Sequence, residues 1–149
     1  MDDREFMLEA LREAREALAH SDVPVGAVIV RDGKIISRAH NERELNGLAT
    51  AHAEVLAIER ACRELGTWRL SDCTLYVTLE PCPMCAGAIL NARVSRTVFG
   101  APDPKAGCMG SVINLNSYPF NYACETLGGV CAEESRTLLA EFFEEKRRG

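Results

Sequence analysis

The sequence predicts an α/β protein: one domain over residues 1–149, a mixed sheet with helices on both faces. Three observations carry this. At 149 residues the chain has the length of one common domain. Two apolar runs flank an Asp-Gly pair near the N-terminus, which is the signal of an antiparallel hairpin. Downstream, segments with helical spacing alternate with short β-branched runs, the pattern of strands that run parallel with helical crossovers.

The elements follow in order. Residues 3–20 read as an amphipathic helix, with Met7, Leu11, Ala14 and Leu18 on one stripe and Glu9, Arg12, Glu13, Arg15 and Glu16 between them. Asp2 or Asp3 is placed to cap it, and Ser21 to Pro24 breaks it. Val25 to Val30 is a buried strand, Arg31-Asp32-Gly33-Lys34 a turn, and Lys34 to His40 the returning strand. Residues 41–49 are polar and loop-like. Thr50 can cap a helix from about Ala51 to Leu65, which Gly66 ends. Thr74 to Leu79 is a third strand, rich in β-formers. Pro81 and Pro83 suit the first turn of a helix running through Leu90, and Arg96 to Gly100 is a fourth strand. Residues 101–122 are broken by prolines and glycines, as functional loops often are. Glu125 to Leu127 forms a short fifth strand, and Glu133 to Arg148 a last helix in which Phe142 and Phe143 are expected to pack into the core.

Composition narrows the setting. Hydrophobic residues make up 47% and charged residues 26%, values of a soluble globular chain. No run is long enough to span a membrane, and the acidic start, Met1 to Glu5, is unlike a secretory signal. A cytoplasmic protein is expected. Seven cysteines are an odd number with one close pair, Cys82 and Cys85, so a disulfide framework is not expected. Cys62, Cys73, Cys108, Cys124 and Cys131 read as small apolar residues. The net charge of −5 opposes a nucleic-acid partner unless a local basic patch offsets it.

The chemistry sits in His52-Ala53-Glu54 and Pro81-Cys82-Pro83-Met84-Cys85. Together they spell H-x-E…P-C-x-x-C, the signature of the zinc nucleobase deaminases. Both halves fall where a strand or loop feeds a helix N-terminus, whose dipole favours thiolate. His52, Cys82 and Cys85 supply three ligands for one Zn²⁺ per subunit, with a fourth position for water. A structural zinc site usually has four protein ligands, and His20 and His40 do not form a second pair. The metal lowers the pKa of that water towards ~7, and Glu54 carries its proton to a ring nitrogen and then to departing ammonia.

Beyond these motifs the chain resembles the bacterial tRNA-specific adenosine deaminases of the cytidine deaminase-like superfamily. The resemblance rests on Pro24 to Val28, Ala51 to Glu54, Thr74 to Cys82, Met84 to Ala88, Val98 to Ala101, Asp103 to Gly107 and Leu138 to Phe143. It implies a three-layer α/β/α sandwich with a central mixed five-stranded sheet, a homodimer, and conversion of the wobble adenosine of a tRNA anticodon loop to inosine. It further implies that Asn41 contacts the target nucleoside and that Asp103 and Lys105 line the groove for the anticodon loop. The last helix departs from the family's basic pattern: Glu144-Glu145 precede Lys146-Arg147-Arg148. Lys146 and Arg147 are expected to touch phosphates. Two other readings stand at this point: a deaminase of free guanine, cytosine or deoxycytidylate on the same fold, and a non-catalytic zinc-stabilised partner subunit.

Overall fold

The computed structural model describes all 149 residues as one five-stranded sheet between two helical layers. Helix α1 spans Asp3–Ala17 and relaxes into one 3₁₀ turn at Leu18–His20. Asp2 caps it: its carboxylate accepts from the Glu5 amide at 2.9 Å, and the Glu5 side chain accepts in return from the Asp2 amide. Strands β1 (Gly26–Arg31) and β2 (Lys34–His40) form the expected hairpin, with a register shift at Ile29/Val30. Asp32 and Gly33 both take positive φ, which a tight primed turn requires.

Four residues of the segment expected to be loop, Arg43–Asn46, form a helical turn, α2. Helix α3 runs Ala53–Leu65 and ends on Gly66 at φ 68°. Strand β3 (Cys73–Leu79), helix α4 (Pro83–Asn91), strand β4 (Arg96–Ala101), strand β5 (Glu125–Leu127) and helix α5 (Ala132–Arg148) complete the chain. The sheet order is β2-β1-β3-β4-β5. Strand β1 pairs antiparallel with both β2 and β3, whereas β3, β4 and β5 are parallel. The mixed sheet thus comes from one hairpin followed by parallel crossovers.

The larger core lies between the sheet and α3 and α4, around Ile29, Leu75, Val77, Ile58 and Ile89. A smaller one lies under α1, where Phe6, Met7 and Ala10 meet Val28, Tyr76 and Val98. Helix α1 packs so close to β1 that a Cβ on Gly26 would overlap the carbonyl oxygen of Ala10 and the amide of Ala14. At the outer edge of this layer, both carboxylate oxygens of Asp3 accept from Arg96, at 2.9 and 2.7 Å, and the Tyr76 hydroxyl donates to Asp3 at 2.6 Å.

Helix α5 departs from expectation. It packs mainly on β4, with lesser contact to β3 and to α1, and Ser135 is its one fully buried residue, donating to the Thr78 carbonyl at 2.6 Å. Phe142 is therefore half-buried and Phe143 is 46% exposed, so neither is a core residue. Phe142 instead borders a groove with Leu18 and Leu138, and Phe143 a cleft with Arg136 and Leu139.

Candidate active site

Strands β2 and β3 are both antiparallel to β1, so they end on the same side of the sheet, and the chain that follows each leads into a helix there. Two helices begin there with the residues the sequence singled out. His52 is the N-cap of α3 and Cys82 the N-cap of α4, both extended, at ψ 151° and 175°. The first helical residue of α3 is thus Ala53, not Ala51, and Thr50 does not cap it. Cap positions suit ligands because a side chain there projects beyond the helix end rather than along its flank. Pro83 opens α4, and Cys85, one turn in, points its sulfur back towards the cap.

His52 Nδ1 lies 3.6 Å from Cys82 Sγ and 3.4 Å from Cys85 Sγ, and the three ligand atoms fall within 4.8 Å of one another. Tetrahedral zinc, at about 2.0–2.1 Å from nitrogen and about 2.3 Å from sulfur, sets a nitrogen–sulfur separation of about 3.6 Å. The donors are spaced to hold such an ion. Their protonation agrees. Hydrogen bonds from Cys85 and His52 hold the Cys82 thiol down to about 4, whereas donation to Cys82 and burial push Cys85 far up. His52 is held above its ordinary value, chiefly by its hydrogen bond with Cys82, against burial, which works the other way. A metal ion would displace the protons from both thiols on binding.

Glu54 lies on the first turn of α3 and is 4% exposed. Burial pushes its carboxyl up to about 7, with the Cys82 thiolate adding to the effect. A group poised near neutrality can both take and give a proton at working pH. His52, Glu54 and Cys82 line one cleft of about 630 Å³, a size that admits a nucleoside.

This cleft draws on elements far apart in the chain. Asn41 is 5% exposed, and its Oδ1 accepts from the Ala53 amide at 2.9 Å, so it tethers the end of β2 to the start of α3. Its Nδ2 makes no hydrogen bond within the chain. Asp103 and Lys105 also line the cleft. The Asp103 carboxylate turns onto its own loop and accepts from the Lys105 and Ala106 amides at 3.0 and 3.2 Å. The Lys105 ammonium remains exposed. Lys146 and Arg147 do not line the cleft; Lys146 instead borders a separate groove with Leu18, Ser21 and Leu138.

A family model described as MafB19-like deaminase matches residues 1–147. A tRNA-specific adenosine deaminase of Bacillus subtilis is 52% identical over 147 residues, covering 98% of this chain and 91% of that protein. This chain belongs to the tRNA-specific adenosine deaminase family. Among solved structures, the deaminase is similar to a tRNA:A34 deaminase at 45% identity and a TM-score of 0.88, over 91% of this chain and 99% of that one. It is also similar to a guanine deaminase from Nitrosomonas europaea, at 25% identity and a TM-score of 0.79, over 93% and 83%.

The structure adds residues that sequence reasoning did not single out. Glu80, 2% exposed, fastens the deaminase's 103–111 loop. Its carboxylate accepts from the amides of Asp103, Met109 and Ser111, each at 3.0 Å, and from the Ser111 hydroxyl. Burial alone would raise this carboxyl, but those donors outweigh it and hold it below the ordinary carboxylate range. Gly107 leaves the room: a Cβ there would overlap the Glu80 carboxyl group. Arg43, Arg136, Leu139 and Phe143 complete the cleft wall. Leu139 and Phe143 fall in the stretch that carried the family resemblance, whereas no spacing rule joins Arg43 on α2 to Arg136 on α5.

Proposed function

We infer that this chain hydrolyses the amino group of adenosine to give inosine and ammonia at the wobble position of a tRNA anticodon loop. The observation that carries the reading is the 52% identity to a tRNA-specific adenosine deaminase over nearly the whole chain. The three-donor cluster beside a buried glutamate supports the same chemistry from geometry alone. No helix is long and apolar enough to cross a membrane. A tRNA substrate supports the reading of a cytoplasmic protein.

We propose His52, Cys82 and Cys85 as the ligands of one Zn²⁺. Such an ion would act as a Lewis acid that makes water a nucleophile near neutral pH. Glu54 then handles protons. It takes one from the attacking water, passes it to the ring nitrogen next to the reacting carbon, and carries the second to the leaving amine. The carbon–nitrogen bond breaks with its electron pair on nitrogen, and the water oxygen stays on the ring. Burial that keeps Glu54 near neutrality lets one group make both transfers. Asn41, with Oδ1 committed to Ala53, offers its amide N–H to the nucleoside. Asp103 shapes the loop, Lys105 faces the RNA, and Lys146 and Arg147 meet phosphates outside the cleft. An anticodon loop suits an open cleft because its bases are already unpaired.

We further propose a homodimer. Two shallow clefts share Ala88, Asn91 and Arg93 on the α3–α4 face. One reaches Trp68 and the other Phe120, which are 57% and 59% exposed and which a second copy would cover.

The test is a substrate panel. Zinc-loaded protein is incubated with an anticodon stem-loop carrying wobble adenosine, and separately with free guanine, cytosine and deoxycytidylate. Inosine from the stem-loop is expected; ammonia from a free base without inosine in RNA would replace this reading with a small-molecule deaminase.

A further inference from the structure

A net charge of −5 is unfavourable for holding RNA, and the C-terminal cations stand away from the cleft. The structure brings a different set of cations to its wall. Arg43 comes from α2, Lys105 from the loop after β4 and Arg136 from α5. None of the three acidic groups that line the same cleft forms an ion pair with them. Asp103 is turned onto backbone amides of its own loop, Glu80 is saturated by four donors, and Glu54 is buried. Arg43 enters no ion pair, because the adjacent Glu42 is engaged by Arg60 at 3.5 Å and by Asn46 at 3.1 Å. Arg136 pairs only with Glu133 on its own helix, where both side chains are more than half exposed. An exposed pair of that kind contributes little and yields readily to a phosphate.

We propose that Arg43 and Arg136, with Lys105, bind the phosphates that flank the nucleotide whose base enters the cleft, an inference that rests on the RNA reading above. A base turned towards Glu54 leaves its sugar at the mouth, and the two phosphates on that sugar lie where the three cations stand. Guanidinium suits this task because its planar donors engage two phosphate oxygens at once. A free base carries no phosphate, so the same residues favour RNA over free guanine or cytosine. The local cluster is what reconciles an acidic chain with a polyanionic substrate.

Binding of the anticodon stem-loop by zinc-loaded wild type, Arg43→Ala, Arg136→Ala and the double variant, measured by fluorescence anisotropy over a salt series, tests this. Each single variant is expected to bind roughly tenfold more weakly at low salt. Each should also flatten the slope of log affinity against log salt by roughly 0.7, the value for one contact to a single strand. Arg43→Lys and Arg136→Lys should keep the slope, which loss of folding would not spare. KM should rise while kcat at saturating stem-loop stays within about twofold. Wild-type slopes in all the Ala variants would overturn the inference, as would a slope change in Lys146→Ala/Arg147→Ala alone. Tighter binding of free adenosine monophosphate than of the stem-loop would also overturn it, assigning the cations to a mononucleotide. Failure of wild type to deaminate the stem-loop would instead sink the underlying substrate reading.

Discussion

Glu80→Gln is the substitution through which the structure makes its sharpest energetic statement. One oxygen of the carboxylate accepts from the Asp103 amide and the Ser111 hydroxyl; the other accepts from the Met109 and Ser111 amides. A glutamine must place its NH₂ at one of these two positions. Facing Met109 and Ser111 it would confront two N–H donors, so it turns towards Asp103, where the Ser111 hydroxyl can rotate to accept. One amide is then left unpaired beside a donor, at about 1–3 kcal/mol, and the two surviving amide bonds lose the strength that a charged acceptor gave them. The sum is a loss of about 2–4 kcal/mol. Urea unfolding of the zinc-loaded protein should show a lower midpoint at unchanged m value. Because the loop forms part of the cleft wall, KM for the stem-loop should rise as well. A change below about 0.5 kcal/mol would refute the claim that this carboxylate organises the 103–111 loop.

Further outcomes follow from the same geometry. Glu54→Gln should retain zinc, measured by atomic absorption, while kcat falls ~10²–10⁴-fold; an active variant would refute the proton-transfer role. The Arg96 guanidinium holds Asp3 below its ordinary value of 3.8, so the stabilisation is present above that pH and lost as pH falls through the lower folded value. Asp3→Asn should therefore cost ~1 kcal/mol at neutral pH, the partly exposed setting being allowed for, and should flatten the acid limb of the stability curve. Gly107→Ala forces a methyl into the Glu80 carboxyl and should destabilise by ~1–3 kcal/mol, with near-additivity lost when combined with Glu80→Gln.

How much of this was legible in the sequence depends on how local the signal was. The hairpin was legible because Asp32 and Gly33 are the residues a turn with two positive φ values needs. The cluster was legible because cysteines at 82 and 85 and a histidine two residues before a glutamate leave few other arrangements. The start of α3 was placed early because Thr50 is a better cap by residue type than His52; the cap position belongs instead to a proposed ligand. Helical spacing sets Phe142 with Leu138 and Phe143 with Leu139, but periodicity says nothing about what lies beneath; the structure puts them on the walls of a groove and of the cleft. Glu80 read as one member of a motif, since its partners at 103, 109 and 111 lie in a segment with no period to align it. Arg43 and Arg136 carry no local pattern in the sequence; only folding brings α2 and α5 to one cleft.

The central claim is that water replaces the amine of the wobble adenosine at this cleft. The most direct measurement is deamination of the anticodon stem-loop in heavy-oxygen water, followed by nuclease digestion and mass spectrometry of the nucleosides. One heavy oxygen is expected in inosine derived from the wobble position and none elsewhere in the loop. Inosine without the label, labelled uridine in place of inosine, or no inosine from zinc-loaded protein would contradict it.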